Sequence, residues 1–290
     1  MDSLNPKLSL SRFVIHKRQF SILVLISVAV INFPVIFSSS EIRAQMIDVT
    51  AIVGAVVTVF VFFTNTLMKY VRKRRIDGFL PFFIGTLLWL AAEFTFAYYR
   101  EGLGVEVPYP SFADLFWLLG YGFFLFHNYS VIAKLRGILT IDRSMIILVS
   151  AAVGLTLGYI LNLTFGVAEI LSSTTDSLSF GVSVFYPIID GIILIPSMII
   201  FWSLRKGDLF HMHWFLMSAS FVMVTIGDIG FGYSFALSPD VAGEYEWIWS
   251  IFFNTCYVCM AAGGIWFYLS SRRNYAQDNL PNKAANIPSP

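Results

Sequence analysis

Eight apolar stretches of about twenty residues each divide this chain almost from end to end, and a helix of that length crosses the hydrocarbon core of a bilayer. They run over about 20–37, 46–70, 78–99, 111–133, 144–162, 182–204, 213–236 and 245–270. Inside lipid a backbone has no water to bond, so each stretch must close its own hydrogen bonds as a helix. The expected fold class is therefore all-α: a polytopic membrane protein with eight transmembrane helices. Charged residues make up only 13% of the chain, too few to cover a soluble protein of this length. A net charge of +1, without a basic stripe or a phosphate-binding glycine loop, points to no nucleic-acid partner.

The loops test the count. All of the 19 basic residues except Arg43 and Arg100 fall before the first stretch or after the second, fourth, sixth and eighth. A missed or extra helix would scramble that alternation. By the positive-inside rule both termini are then cytoplasmic, in a multi-pass protein of the cell membrane whose only certain partners are its lipids. The organisation expected is a cytoplasmic segment 1–19, a membrane domain 20–270 and a disordered cytoplasmic tail 271–290. The first stretch, with basic residues ahead and Ser38-Ser39-Ser40 behind, also resembles a secretory signal peptide. It is long for that role and lacks a clean cleavage site, so a retained helix is preferred. Cleavage would leave seven helices, but the last span holds no lysine for a retinal Schiff base. The Ser/Thr-rich segment 165–181 is expected to be the one long outer loop, and the sequon Asn162-Leu163-Thr164 stands too near the membrane for ready glycosylation. Cys256 and Cys259, one helical turn apart, read as small packing residues.

Among the carboxylates within the apolar stretches, four stand out as the candidate site: Glu93, Asp114, Asp190 and Asp228, all in the half of the membrane away from the basic loops. A carboxylate in hydrocarbon is costly unless paired, protonated or hydrated, so the fold must be arranged around these groups. Glu93 and Asp228 lie on the order of 10 Å below the outer helix ends, too deep for so short a side chain to reach water. Asp114 and Asp190 follow "YPSFAD" (109–114) and "YPIID" (186–190), helix entries in which a first-turn acid complements the helix dipole. A purely local role stays open for those two. Tyr98, Tyr121, Tyr233 and Asn254 complete the candidate site as partners of the acids. Together they describe an outward-opening acidic and aromatic cup suited to an inorganic cation or a small amine, with no cofactor expected. The competing reading is that the same groups only tie helices together.

An internal echo supports the pairing of acids. "WLAAEFTFAYY" (89–99) aligns with "VTIGDIGFGYS" (224–234), which matches Glu93 to Asp228. With one extra residue, "SFADLFWLLGY" (111–121) falls on "WIWSIFFNTCY" (247–257), which matches Tyr121 to Tyr257 but sets Ser250 opposite Asp114. Both segments run the same way through the membrane, so a weak repeat, 78–133 with 213–270, implies two parallel four-helix halves.

The run Pro110-Ser111-Phe112-Ala113-Asp114-Leu115-Phe116-Trp117-Leu118-Leu119-Gly120-Tyr121 resembles a "PSxADxxWLxGY" pattern. That pattern belongs to multi-helix membrane regions preceding GGDEF/EAL or histidine-kinase output domains in prokaryotic signalling proteins. "YPxxD" at 186–190 and the acid at Asp228 are similar too, and the resemblance spans about 78–268. It implies a sensor-like membrane module. No output domain follows the last helix here, so a signal would pass to a separate cytoplasmic or membrane partner.

Three other functions compete. A transporter or proton-coupled carrier suits parallel halves and intramembrane acids, but needs polar groups at both depths. An intramembrane aspartyl protease would use Asp190 and Asp228 as a proton-sharing dyad, yet "TIGD" (225–228) only half-matches the GxGD pattern. A haem held by His127 and His213 near the inner face is the remaining idea. The sensor-like module is the reading preferred, with any enzymatic activity left open.

Overall fold

A computed structural model describes residues 17–71, 78–170, 177–205, 211–237 and 239–278. Among these the chain is all-helical: α1 Lys17–Phe37, α2 Ser40–Val71, α3 Phe79–Ala97, α4 Phe112–Leu135, α5 Arg143–Ile170, α6 Ser177–Leu204, α7 Met212–Leu237 and α8 Pro239–Asp278. A single π turn, Tyr98–Gly102, extends α3. Each of the eight contains a segment long and apolar enough to cross a membrane. The basic residues Arg72, Lys73, Arg74, Arg75 and Lys206, like segment 1–16, lie outside the described residues.

Two boundaries differ from the sequence expectation. Segment 165–181 is not a long loop, because α5 continues to Ile170 and α6 already begins at Ser177. Phe165-Gly166-Val167-Ala168-Glu169-Ile170 has no proline, and Ala168 and Glu169 favour a helix, so the helix continues past the membrane-length stretch. The tail is likewise helical from Ser271 to Asp278, where the 40-residue α8 ends; 279–290 lies outside the described residues.

Six helices close a ring in the order α2–α3–α4–α6–α7–α8, with α8 returning to α2. Helix α1 lies outside against α2 and α8, and α5 lies outside against α6 and α7. The bundle is inverted relative to a soluble protein. Leu25, Val30, Phe33 and Phe37 of α1 and Phe60 of α2 face outward, 60–70% exposed. Asn32, Thr58, Asn65, Asn128 and Ser197 are buried instead. This is the distribution a hydrocarbon solvent selects, since only another helix can satisfy a polar side chain there. Thr58 Oγ1 donates to the Tyr257 carbonyl (3.1 Å), Asn65 Nδ2 to the Gly264 carbonyl (2.9 Å) and Asn128 Nδ2 to Ser197 Oγ (2.9 Å). These bonds tie α2 to α8 and α4 to α6.

Small residues set the close approaches. A Cβ on Gly120 would stand 2.4 Å from the Trp89 ring, and one on Gly230 would stand 2.3 Å from the Trp249 ring. Towards the end carrying both termini, the ring interior is filled by Phe82, Phe124 and Phe221, each fully buried, with centroids 5.0–6.0 Å apart. The carboxylates sit on the other side of this aromatic layer, because Glu93 and Asp228 follow Phe82 and Phe221 by two to three helical turns.

Candidate functional site

Tyr121, on α4, reaches the centre of the ring and is only 1% exposed. Its hydroxyl stands 2.7 Å from Asp190 Oδ1 on α6 and 2.5 Å from Asp228 Oδ2 on α7. Both carboxylates thus converge on one phenol oxygen. Asp190 is 1% exposed, and its second oxygen, Oδ2, meets no donor. Asp228 is the less deeply buried residue of the two. Pro187 lies one turn before Asp190 inside α6 and withholds an amide, which leaves the Ser183 carbonyl without its helical donor beside the site.

A second cluster mirrors the first. Tyr257 of α8 donates to Glu93 Oε1 of α3 at 2.6 Å, and Trp117 Nε1 approaches the same oxygen at 3.4 Å. Trp89 joins the two clusters: its ring meets Tyr121 edge-on at 5.3 Å and Tyr257 at 6.2 Å, and its Nε1 donates to the Trp117 carbonyl. Glu93 and Asp228 are near enough for their charges to interact. The pairing is crossed, since Tyr121 belongs to the first four helices and bonds acids in the second four, while Tyr257 does the reverse.

Asp114 stands in the first turn of α4, outward of the Tyr121 cluster. Its Oδ2 accepts from the Ser111 amide (2.6 Å) and hydroxyl (2.8 Å), while Ser111 Oγ accepts from the Ala113 amide, closing a capping box at the start of α4. Its other oxygen accepts from the Tyr186 hydroxyl of α6 at 3.0 Å, so the local role and a link towards the site coexist. Tyr109, in the loop before α4, shares a hydrogen bond with Ser183 Oγ. Burial, opposed by that bond and reinforced by the Asp114 charge, pushes its hydroxyl up to about 12 and keeps it neutral.

The other expected members stand elsewhere. Tyr98 and Tyr233 point away from the ring, 59% and 52% exposed. Asn254 is buried on the opposite side of α8, where its Nδ2 bonds Asn32 Oδ1 (3.1 Å) and Thr50 Oγ1 (3.0 Å), tying α1 and α2 to α8. Ser250, the counterpart of Asp114, donates to the Glu246 carbonyl of its own helix. The histidines do not face each other across an open space: Trp214 stands between them, 5.5 Å from His127 and 4.4 Å from His213. His127 Nδ1 is engaged by the Gly78 carbonyl at 2.6 Å.

Sequence reasoning missed a third cluster at the mouth. Arg100, in the π turn, forms an ion pair with Asp48 of α2 and bonds Glu246 of α8 at 2.8 and 3.1 Å, with a further bond to the Ala44 carbonyl. The signal was available in part: Arg100 is one of only two basic residues on its side, and Asp48 is an acid inside the second apolar stretch. The partners are 52 and 146 residues away, beyond any local pattern. No known family model matches the chain, and neither a curated protein nor a solved structure resembles it significantly.

Proposed function

We propose that this protein is a sensor-like module of the cell membrane whose ring centre takes up a cation or small amine and whose output passes to a separate partner. The observation that carries the reading is the crossed tyrosine–carboxylate pairing. Tyr121 on Asp190 and Asp228, and Tyr257 on Glu93, place every central acid at a junction between the two four-helix halves. A charge arriving at one acid alters a hydrogen bond between halves, so occupancy and packing are linked through the same atoms. Glu93 and Asp228 supply charge to the ligand and Asp114 shapes the approach, whereas Asp190, in mid-helix and buried beside Tyr121, belongs to the centre and not to the entrance. The orientation follows from the basic loops, with both termini and the partner surface on the cytoplasmic side.

The transporter reading shares the parallel halves but needs a polar route past the acids. The fully buried Phe82, Phe124 and Phe221 layer stands in that route, which favours a site that binds without conducting. The aspartyl-protease reading gains from the proximity of Asp190 and Asp228. A hydrolytic water, however, would have to occupy the gap between them, and the Tyr121 hydroxyl is already there.

Reconstituted vesicles provide the test. Purified protein should gain thermal stability from particular cations or amines, while vesicles containing it should accumulate none of them. Steady uptake of the stabilising ion would replace the sensor by a carrier, and a melting temperature indifferent to every cation, amine and pH would remove the site altogether.

A further inference from the structure

We infer that Asp190, Tyr121 and Asp228 together hold one proton beyond the hydroxyl's own, and that this exchangeable proton is the ligand of the ring centre. The inference rests on the reading of the centre as a cation site and narrows the cation to the smallest one. The Tyr121 oxygen makes two contacts of hydrogen-bond length, one to each carboxylate. A phenol carries a single O–H, so it donates to one acid only. The second contact is a hydrogen bond only if the other acid is protonated and donates to the phenol oxygen.

The surroundings point the same way. The groups whose charge or bonding reaches the pair are Glu93 on α3, Tyr121 on α4, Tyr159 on α5, Tyr186 on α6, and Cys256 and Tyr257 on α8. None is basic, and the Arg100 guanidinium is engaged at the mouth by Asp48 and Glu246. Two ionised carboxylates in contact within a low-dielectric interior repel strongly, and one shared proton relieves that repulsion. Asp190 Oδ2, buried without a donor, is a free acceptor in the sealed part of the cluster. Asp228, the less deeply buried residue of the two, is the acid assigned to exchange the proton.

Larger cations suit the cluster less well. No group of three or more His, Cys, Asp or Glu that could hold a metal ion occurs among the described residues. An amine would have to displace the Tyr121 hydroxyl from between the acids. When the proton leaves, the phenol can donate to only one carboxylate and the other is released. Since the acids lie on α6 and α7 and the phenol on α4, release loosens the contact between the two halves.

Infrared difference spectroscopy of the protein in lipid nanodiscs, with 13C-aspartate to separate these acids from Glu93, tests the inference. The expected result is one aspartic-acid C=O band that shifts in D2O and disappears as pH is raised. That band should be absent in both Asp190→Asn and Asp228→Asn, because the Asn amide supplies the missing donor. Tyr121→Phe should move its frequency without removing it. If the wild type shows no such band at any pH but its carboxylate bands shift with sodium or ethylammonium, the proton is wrong and the cation site stands. If it shows neither band nor shift, both fail. A band that never titrates, or that persists in both Asn variants, also overturns the inference, and the wild-type titration decides even where a variant does not fold.

Discussion

Replacing Arg100 by Met should lower stability more than any other single change at the mouth of the bundle. The guanidinium makes a forked contact with Asp48, whose side chain is 7% exposed, and a second with Glu246, which is 21% exposed. Removing the cation leaves Asp48 buried beside an acid on α8 with nothing to offset either charge. Breaking a fully buried ion pair by deleting one partner costs about 3–5 kcal/mol, whereas an exposed pair is worth under about 1 kcal/mol. Arg100 and Glu246 each retain about a fifth of their surface, so the expected loss lies between these limits, at about 2–3 kcal/mol. Thermal unfolding in a mild detergent should register this as a drop on the order of 3–5 °C for a chain of this size. The triple variant Arg100→Met, Asp48→Asn, Glu246→Gln should recover most of it, since isosteric neutral groups leave no buried charge behind. A drop below about 1 °C for Arg100→Met would refute the reasoning and return the cluster to the class of screened surface pairs.

Four further outcomes follow from particular contacts. Gly120→Ala should destabilise by about 1–3 kcal/mol, because its Cβ would meet the Trp89 ring, whereas Gly122→Ala, with nothing within 4 Å, should be neutral or slightly stabilising in the same melt. Asn254→Ala should cost about 1 kcal/mol of stability by losing two interhelical bonds, and should leave any cation- or pH-dependent shift in melting temperature intact. Asp142→Asn should flatten the acid side of the stability profile. The Met145 amide first, then the Trp202 indole and Arg205, hold the Asp142 carboxylate below its ordinary 3.8 in the folded state. The unfolded chain therefore binds the proton more readily, so the stabilisation is complete above about pH 4, is lost as pH falls through the folded value, and should be missing from the variant's acid titration. Replacing Trp214 by Ala should destabilise by about 3–5 kcal/mol in the same melt, since it removes the ring packed against His127, His213 and Phe79.

The sequence made the helices legible because the bilayer imposes a length, and the basic loops then fixed their number. It made the depth of the acids legible for the same reason, since 1.5 Å per residue converts position into depth. Rotation about each helix axis was harder to read. Tyr98 and Tyr233 each follow an acid by five residues, which turns them about 140° away from it, so matching depth did not bring them to the site. Asn254 precedes Tyr257 by one turn on α8, yet faces α1 and α2 while Tyr257 faces α3. The echo aligns Glu93 with Asp228 and Tyr121 with Tyr257, but an alignment does not say who bonds whom. That depends on the ring order, in which α4 meets α6 and α8 returns to α2. Arg100 and Asp48 lie on consecutive helices, but Glu246 joins them only when α8 closes the ring onto α2.

The most direct test of the central claim is a charge-neutral swap at the two matched acids, Glu93→Gln with Asp228→Asn, assayed by the cation- and pH-dependence of the melting temperature. The account predicts a folded protein whose melting temperature no longer responds to any cation that stabilises the wild type, and whose remaining pH response is the acid-side one of Asp142. A variant that melts higher than the wild type and keeps the full response would contradict it, and would leave the tyrosine–carboxylate pairs as helix ties alone.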